Sequence, residues 1–253
     1  EYLREEMSRG LIADVGDADI YPTNPTRTFV GLTEMVRTVI GRDAMPVVLG
    51  GDHSITFAVV RAFDEPIHVF QFDAHTDYAP ITADLQFTNG HAFRHIAAMP
   101  NVTGLTQVGI RSLRTSPEQV ADIRADGNRI ITMGEFNRMT PEDVAATLPE
   151  GTRCYVSIDV DVLDMSLVPG CVSGEPDGMS FPQLRSALRA IAKRLDVVGF
   201  DFVEVNPTLD VGTGATSYLG AHIVIDFLGF ICDQPRWAAR RAQRYPSITK
   251  PQQ

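Results

Sequence analysis

Three residues whose side chains bind metal ions stand two positions apart in one stretch of the chain. Asp73, His75 and Asp77 follow a short apolar run at residues 67–72. In an extended chain, residues two positions apart point to the same side. We therefore expect these two carboxylates and this imidazole to face one point in space at the end of a strand.

Two further stretches end in a similar way. Asp159 and Asp161 follow an apolar run at residues 154–158, and His53 comes shortly after a run at residues 47–49. If the three strands are parallel neighbours, their carboxyl ends lie at the same edge of a sheet. Two imidazoles and four carboxylates would then converge on one site.

The chemistry of these six side chains indicates which ligand they bind. Carboxylates and imidazoles without thiolates suit borderline-hard divalent ions, Mn²⁺ before Zn²⁺. A purely structural role would require burying four carboxylates and two histidines beside apolar strands, which is costly unless metal ions neutralise them. Two metal ions in one site are typical of enzymes that activate water. The sequence therefore predicts a two-metal hydrolase.

Other acidic and histidine residues are interpreted as structural. Asp52 and Asp164 are expected to accept hydrogen bonds from backbone amides in loops rather than to bind metal. His68, His95 and His222 stand apart from the three motifs. We expect each of these histidines to be satisfied within the protein or solvated.

Length, composition and charge limit the class of protein. The chain has 253 residues, of which 44% are hydrophobic and 21% charged, and this predicts one domain over residues 1–253. The net charge of -10 argues against nucleic acid as a partner. Cys154, Cys171 and Cys232 have no paired or metal-type spacing, so we expect them to pack as small apolar residues in a reducing, cytoplasmic setting. No apolar stretch is long and unbroken enough to predict a membrane span. The chain begins at Glu1 rather than Met, so we expect an N-terminal portion to precede it.

Strand and helix patterns alternate along the chain. Apolar runs predict strands, and capped segments with a period of 3.6 residues predict helices. The predicted strands are residues 47–49, 67–72, 105–110, 129–132, 154–158 and 197–203, and the predicted helices are residues 26–41, 55–63, 93–98, 117–126, 140–148, 180–195 and 217–232. Residues 1–10 are interpreted as the tail of a helix and residues 237–253 as a polar tail. This alternation predicts an α/β domain with a parallel sheet covered by helices on both faces.

Four segments, taken together, form a specific pattern. They are Leu-Gly-Gly-Asp-His-Ser-Ile-Thr (49–56), Phe-Asp-Ala-His-Thr-Asp (72–77), Ser-Ile-Asp-Val-Asp-Val-Leu-Asp (157–164) and Glu-Val-Asn-Pro (204–207). In sequence and order they resemble the ureohydrolase family, which includes arginase and agmatinase. The resemblance implies a three-layer α/β/α fold like that of arginase, a binuclear manganese site, with nickel in some relatives, and hydrolysis of a guanidino compound to urea and an amine.

The resemblance also implies a role for each matching residue. One metal would be held by His53, Asp73, Asp77 and Asp159, and the other by Asp73, His75, Asp159 and Asp161. A hydroxide that bridges the two metals would attack the guanidinium carbon, with Asp77 orienting it. Glu204 would pair with the guanidinium group of the substrate, for which a carboxylate is the matching bidentate partner.

The chain departs from the family pattern in three places. Asn89 stands where relatives have a histidine that transfers protons to the leaving amine, and an amide cannot do so. His91, two residues later, is expected to take this role, and the alternative is that it packs on the pocket wall. The run at residues 171–175 replaces a Thr-Gly-Thr-Pro-Glu-like segment beside the pocket. Residues 78–80 lack the Asn and Ser with which arginases bind the amino acid head of arginine, which disfavours arginine.

Two classes of function follow. The favoured one is an agmatinase-like amidinohydrolase that acts on a small cationic guanidino compound, such as agmatine or a related guanidine. The alternative is a metal-binding but catalytically weak paralogue that serves as a partner subunit or sensor, a hypothesis motivated by Asn89. The resemblance further implies a homo-oligomer, a trimer or a hexamer.

Overall fold

One sheet of six parallel strands runs through the part of the chain that the structure describes. The computed structural model describes residues 4, 11–83 and 85–244. The strands are β1 (Val47–Leu49), β2 (Ile67–Phe72), β3 (Val102–Ile110), β4 (Arg129–Thr132), β5 (Arg153–Asp159) and β6 (Asp196–Val203). Their order in the sheet is β1-β6-β5-β2-β3-β4, and each adjacent pair is parallel. All strand carboxyl ends therefore lie at the same edge.

Helices connect these strands. In the described residues they are α1 (Pro25–Gly41), α2 (Ile55–Val60), α3 (Ala92–Ala97), α4 (Pro117–Ala125), α5 (Met133–Phe136), α6 (Pro141–Ala145), α7 (Phe181–Arg194), α8 (Ala215–Cys232) and α9 (Pro235–Arg244), with 3-10 turns at Asn89–His91 and Val160–Val162. Three of them begin with a capping box, in which the side chains of the cap residue and of the third helical residue each bond to the other's backbone N–H. The cap residues are Ser116 for α4, Thr140 for α6 and Ser180 for α7. The Pro that follows each cap residue suits the first helical turn, which explains why these starts could be predicted.

The two faces of the sheet are covered by different helices. Side chains from α1, α2, α3 and α4 pack on one face with Val69 of the central strand β2. Side chains from α5, α6, α7 and α8 pack on the other face with Phe70 and Phe72 of the same strand. Every residue of β2 is buried, as expected for a strand covered on both faces. The predicted three-layer α/β/α fold is thereby confirmed.

Helix α8 is long and apolar enough to cross a membrane by length and composition, and no other helix in the described residues meets that criterion. Its residues Ile223, Phe227 and Ile231 are buried in the core. Asp226, on the same helix, accepts a hydrogen bond of 2.5 Å from Arg185 of α7. The helix therefore packs as part of the domain, and its composition alone is weak support for a membrane span.

The prediction of a polar tail at residues 237–253 is wrong for its first part, which lies in helix α9. The segment Pro235–Arg244 is rich in Ala and Arg, which have high helix propensity, and it begins with Pro. Trp237 packs against the core, and the guanidinium groups of Arg236 and Arg240 lie over its ring. Residues 245–253, and the helix tail predicted at residues 1–10 except for Arg4, lie outside the described residues.

Candidate metal centre

The predicted ligands come together at the carboxyl edge of the sheet. Asp73 follows β2 and Asp159 ends β5, and these strands are neighbours with Phe72 beside Ile158. The sequence argument assumed that the strand before His53, β1, is a direct neighbour of the other two, and this is wrong because β6 lies between β1 and β5. The intervening strand β6 ends just before Glu204, and so brings that carboxylate to the same edge.

His53 faces three carboxylates. Its Nδ1 lies 3.0 Å from Asp73 Oδ2, 3.1 Å from Asp77 Oδ2 and 3.2 Å from Asp159 Oδ2. His75 faces a second group, because its Nδ1 lies 2.9 Å from Asp161 Oδ2 and 3.4 Å from Asp73 Oδ1. The two oxygens of Asp73 therefore point to different histidines. The structure thus forms two His/Asp clusters that could hold metal ions and that share Asp73.

The hydrogen bonds around His53 show which of its nitrogens is available to a metal. Ser157 Oγ donates to Asp201 Oδ1 at 2.6 Å, so its single proton is used. His53 Nε2, 2.8 Å from the same Ser157 Oγ, must then be the protonated nitrogen that donates to it. The buried Nδ1 of His53 therefore faces three carboxylate oxygens, and it binds a proton in the metal-free protein or a metal ion in place of that proton. A buried nitrogen that faces only acceptors fits a bound cation, so this side chain set suits the metal that the sequence predicts.

The pKa values of these groups reflect crowded negative charge. Burial, followed by the charges of neighbouring carboxylates, raises the pKa of Asp159 well above its usual value. Burial and the charge of Asp73 raise the pKa of Asp77 to about 7. Burial opposes protonation of His75, but hydrogen bonds to its carboxylate partners outweigh burial and raise its pKa to about 11. Burial likewise opposes protonation of His53, and the same balance raises its pKa well above normal. Protons therefore occupy this site in the absence of metal, and divalent ions would replace them.

Asp201 supports the site from inside the sheet. Besides Ser157, Tyr155 and Thr56 each donate a hydrogen bond of 2.8 Å to its carboxylate, which is completely buried. Through Ser157 this network fixes the ring of His53. This role was not predicted, although an Asp within the apolar run at residues 197–203 was a visible signal.

Two glutamines and a cysteine near the site were not predicted either. Gln71 Nε2 donates to Asp73 Oδ2 at 2.6 Å, and Gln107 donates to Gln71 Oε1 and to a backbone oxygen. Cys171 was expected only to pack, but its thiol lies with Asp159 and Asp161 in a third group that could hold a metal. Burial, together with these two carboxylates, raises the pKa of Cys171 to about 12.

A cavity of about 230 Å³ opens beside the metal ligands. Its lining residues include His75, Asp77, Asn89, Arg114 and Asp159. Asn89 donates a long hydrogen bond of 3.4 Å to Glu204 Oε1, an oxygen that also accepts 2.8 Å from the backbone N–H of His53. Burial raises the pKa of Glu204. Both Asp77 and Glu204 have positive φ angles, 45° and 66°, an uncommon backbone conformation that is typical of functional positions.

His91 does not line this cavity. Its imidazole is buried, with Nδ1 2.7 Å from Thr88 Oγ1 and Nε2 3.2 Å from the backbone oxygen of Pro80. Both ring nitrogens thus have partners within the loop, which favours the packing alternative in this conformation. The role of His91 in proton transfer stays a prediction.

Comparison with known proteins identifies the class to which this fold and site belong. Guanidinopropionase of Pseudomonas aeruginosa is 35% identical over 242 residues, which cover 91% of this chain and 74% of the relative. The crystal structure of formimidoylglutamase from Bacillus subtilis matches with a TM-score of 0.80 at 30% identity, covering 88% of this chain and 72% of that one. Proclavaminate amidino hydrolase from Streptomyces clavuligerus matches with a TM-score of 0.78 at 28% identity, covering 87% and 75%.

These proteins and the present chain share the architecture of metal-dependent hydrolases that act on C–N bonds other than peptide bonds. Residues 2–229 match the family described as Arginase family. The chain therefore belongs to the arginase family, and the resemblance to ureohydrolases that its sequence motifs suggested is confirmed.

Proposed function

We propose that this protein is a binuclear amidinohydrolase that hydrolyses a small guanidino compound to urea and an amine. The observation that carries the proposal is the pair of His/Asp clusters that share Asp73 beside a cavity. Because the two clusters share a carboxylate, two divalent ions would lie close enough to act on one substrate.

The residues that would hold the ions are those of the two clusters together with Asp77. They are His53, Asp73, Asp77 and Asp159 for one ion, and Asp73, His75, Asp159 and Asp161 for the other. Bound there, two divalent ions would supply an activated water nucleophile at neutral pH and stabilise the negative charge that develops on the substrate. We propose manganese because the ligands are carboxylates and imidazoles, and nickel is the competing candidate because it serves some members of the family that the motifs resemble.

The protein side chains would bind and orient the substrate. Glu204 would accept hydrogen bonds from the guanidinium group, since a carboxylate matches two of its N–H groups. The backbone N–H of His53 holds Glu204 Oε1 in place at 2.8 Å. Asp77 lines the cavity and would accept a hydrogen bond from the attacking water, which fixes the direction of attack. In the balanced reaction one water adds to the guanidinium carbon, the C–N bond to the amine breaks, and the amine leaves with a proton.

The source of that proton is a separate question. His91 can supply it only if its ring turns away from Thr88 and Pro80 and reaches the cavity. The His91→Ala variant tests this role directly, because loss of the proton donor should reduce kcat about 100-fold or more. A variant that keeps most of its turnover would assign His91 to packing instead. Asn89→His is the next variant to test if the wild type releases urea from no compound.

The substrate belongs to a narrow group in this proposal. Agmatine was the first expectation from the sequence, together with related small guanidines. The relatives are named for guanidinopropionate, formimidoylglutamate and proclavaminate chemistry, which supports a substrate with an amidine or guanidine group at one end. Arginine is the less favoured substrate, since residues 78–80 are Tyr-Ala-Pro and lack the Asn and Ser with which arginases bind the amino acid head of arginine.

A catalytically weak paralogue that acts as a partner subunit or sensor is the second candidate. The observation in its favour is that Asn89, an amide without acid–base activity, lines the cavity and contacts Glu204. Such a protein would bind two metal ions per chain and release no urea from any guanidino compound.

Urea release is the measurement that tests the main proposal. The Mn²⁺-loaded and the Ni²⁺-loaded protein would be assayed separately with agmatine, guanidinopropionate, guanidinobutyrate, arginine and guanidine. We expect a kcat of about 1 s⁻¹ or more with at least one compound. Asp159→Asn should abolish this activity, whereas Asp64→Asn is a matched control, because Asp64 is exposed and lies just before β2, at the edge of the sheet opposite the metal ligands. If the protein with both metal sites filled releases urea from none of these compounds, the proposal is contradicted.

We further propose a cytoplasmic homo-oligomer, a trimer or a hexamer. In support, helix α8 has exposed apolar side chains, Tyr218 and Ile225, on the side that does not pack on the sheet. A second copy of the chain would cover them. Light scattering coupled to size-exclusion chromatography would measure the mass, and a monomer at micromolar concentration would contradict this part.

A further inference from the structure

The cavity beside the metal ligands has opposite charges at different parts of its wall. Asp77 and Asp159 line the part nearest the metal ligands. A second part is formed by Arg114, Thr115 and Gln119, from the segment that connects β3 to α4 and from α4 itself. A bound molecule would therefore meet both carboxylates and a guanidinium group on the wall of this cavity.

The side chain of Arg114 has no hydrogen bond and no ion pair with any residue that the structure describes, although its backbone N–H donates to Ser112 Oγ. Two other arginines near the site are fully engaged. Arg111 donates to backbone oxygens that include those of Asp161 and Glu175, and Arg94 pairs with Asp122 at 2.7 Å. Arg114 is thus a cation beside the cavity whose hydrogen-bond donors are available to a ligand.

The charge of Arg114 distinguishes between substrates with different tails. An ammonium group on the tail, as in agmatine, would lie near the guanidinium of Arg114, which has the same sign, and would be disfavoured. A carboxylate on the tail would form a charge-assisted, bidentate hydrogen-bond pair with it. The hydroxyl group of Thr115 and the amide of Gln119 add further polar groups to the same wall.

We propose that Arg114 binds the carboxylate of the substrate, and that the substrate is an acid with a guanidine or amidine group at the other end of a short aliphatic chain. This inference rests on the proposed function, because it assumes that the guanidine end lies at the metal ligands. It names the substrate class: guanidino acids rather than guanidino amines.

Three compounds of similar length separate the effects of tail charge. They are 4-guanidinobutyrate with a carboxylate, agmatine with an ammonium and propylguanidine with a neutral end. We expect the metal-loaded wild-type protein to have its highest kcat/KM with guanidinobutyrate. Arg114→Ala should lower kcat/KM for guanidinobutyrate about 10- to 100-fold, mainly through KM, and leave propylguanidine within about twofold. Arg114→Glu should reverse the order of guanidinobutyrate and agmatine.

Arg124→Ala is the matched control, because Arg124 is an exposed arginine of α4 that does not line the cavity. It should leave all three values unchanged. A wild-type preference for agmatine, or an equal loss with guanidinobutyrate and propylguanidine in Arg114→Ala, would overturn the inference while the proposed function stands.

If no compound releases urea, the proposed function fails, and a binding measurement still decides the role of Arg114. Calorimetric titration of guanidinobutyrate and propylguanidine into the Mn²⁺-loaded wild type and into Arg114→Ala compares the two tails without turnover. Loss of guanidinobutyrate binding alone in the variant supports the carboxylate site. Equal binding by the two proteins, or no binding by either, overturns it.

Discussion

Replacing Ser157 by alanine should weaken the binding of one of the two metal ions. Ser157 Oγ accepts a hydrogen bond from His53 Nε2 and donates to Asp201, and all three side chains are buried. Ser157→Ala leaves the Nε2–H of His53 without a partner in the core. The ring can then turn, or move its proton to Nδ1, and either change removes the lone pair that faces Asp73.

The size of the effect follows from the number of hydrogen bonds lost. One buried hydrogen bond to the imidazole disappears without replacement, which costs about 1–3 kcal/mol. Since 1.4 kcal/mol corresponds to a factor of about ten, Kd should rise about 10- to 100-fold. His53 belongs to one cluster and His75 to the other, so the loss should fall mainly on one of two binding steps.

Titration of the metal-free protein with Mn²⁺ against a chelating indicator would resolve the two steps. Tyr155→Phe is the control, because the Tyr155 hydroxyl donates to Asp201 but has no contact with His53. Tyr155→Phe should bind both Mn²⁺ ions with Kd values close to those of the wild type. The thermal midpoint of each metal-free variant shows that the fold is intact. If Ser157→Ala and Tyr155→Phe bind both ions equally well, Ser157 does not orient His53 and the reasoning is refuted.

Three further predictions concern protons and substrate. In the metal-free protein the pKa of Asp77 is raised to about 7 and that of His75 to about 11, so at pH 7 Asp77 is about half protonated and His75 is protonated. Metal binding must displace these protons, so Mn²⁺ affinity should rise with pH. Calorimetry in buffers of different ionisation enthalpy that finds no proton release would contradict this. Burial lowers the pKa of His68 from 6.5 to about 4, so below pH 6.5 the unfolded chain takes up a proton at this residue more readily than the folded protein does. The free energy of unfolding should therefore fall by about 3 kcal/mol as the pH drops from 6.5 towards 4. Urea denaturation of His68→Gln should show a flatter loss over this range than the wild type, and identical slopes would argue against it. Glu204→Gln should raise KM for a guanidino substrate about tenfold or more with both metal ions still bound, and an unchanged KM would remove Glu204 from the guanidinium site.

The close spacing of Asp73, His75 and Asp77 predicted that they belong to one site, but not the backbone that positions them. Asp73 and His75 lie in one cluster and Asp77 lies 3.1 Å from His53, yet the chain bends directly after β2 and Asp77 has a φ of 45°, so the segment is not extended as the period of two assumed. Strand order is a different kind of information, since it depends on how separate segments pack. Nothing local to residues 197–203 shows that β6 lies between β1 and β5, and so the partners of Asp201 could not be predicted.

Composition was a poor guide to structure in two places, helix α9 and the pair of glutamines behind the site. Helix α9 is polar enough to resemble a tail, but Trp237 anchors it to the core and its arginines stack on that ring. The two glutamines behind the site resemble ordinary strand residues in the sequence. Gln71 donates to Asp73 and Gln107 donates to Gln71, and this chain depends on the register of β2 with β3, which places the two glutamines side by side.

The residues that meet at the sheet edge come from distant parts of the chain. The backbone of His53 and the carboxylate of Glu204 are in contact although 151 positions separate them. Contacts of such range form late, because each requires the closure of a long loop. The charged cluster would therefore assemble in the last steps of folding, when β1, β2, β5 and β6 are already in place. Divalent ions would then slow unfolding far more than they speed folding, and the lifetime of the folded protein, rather than its rate of formation, would depend on metal supply.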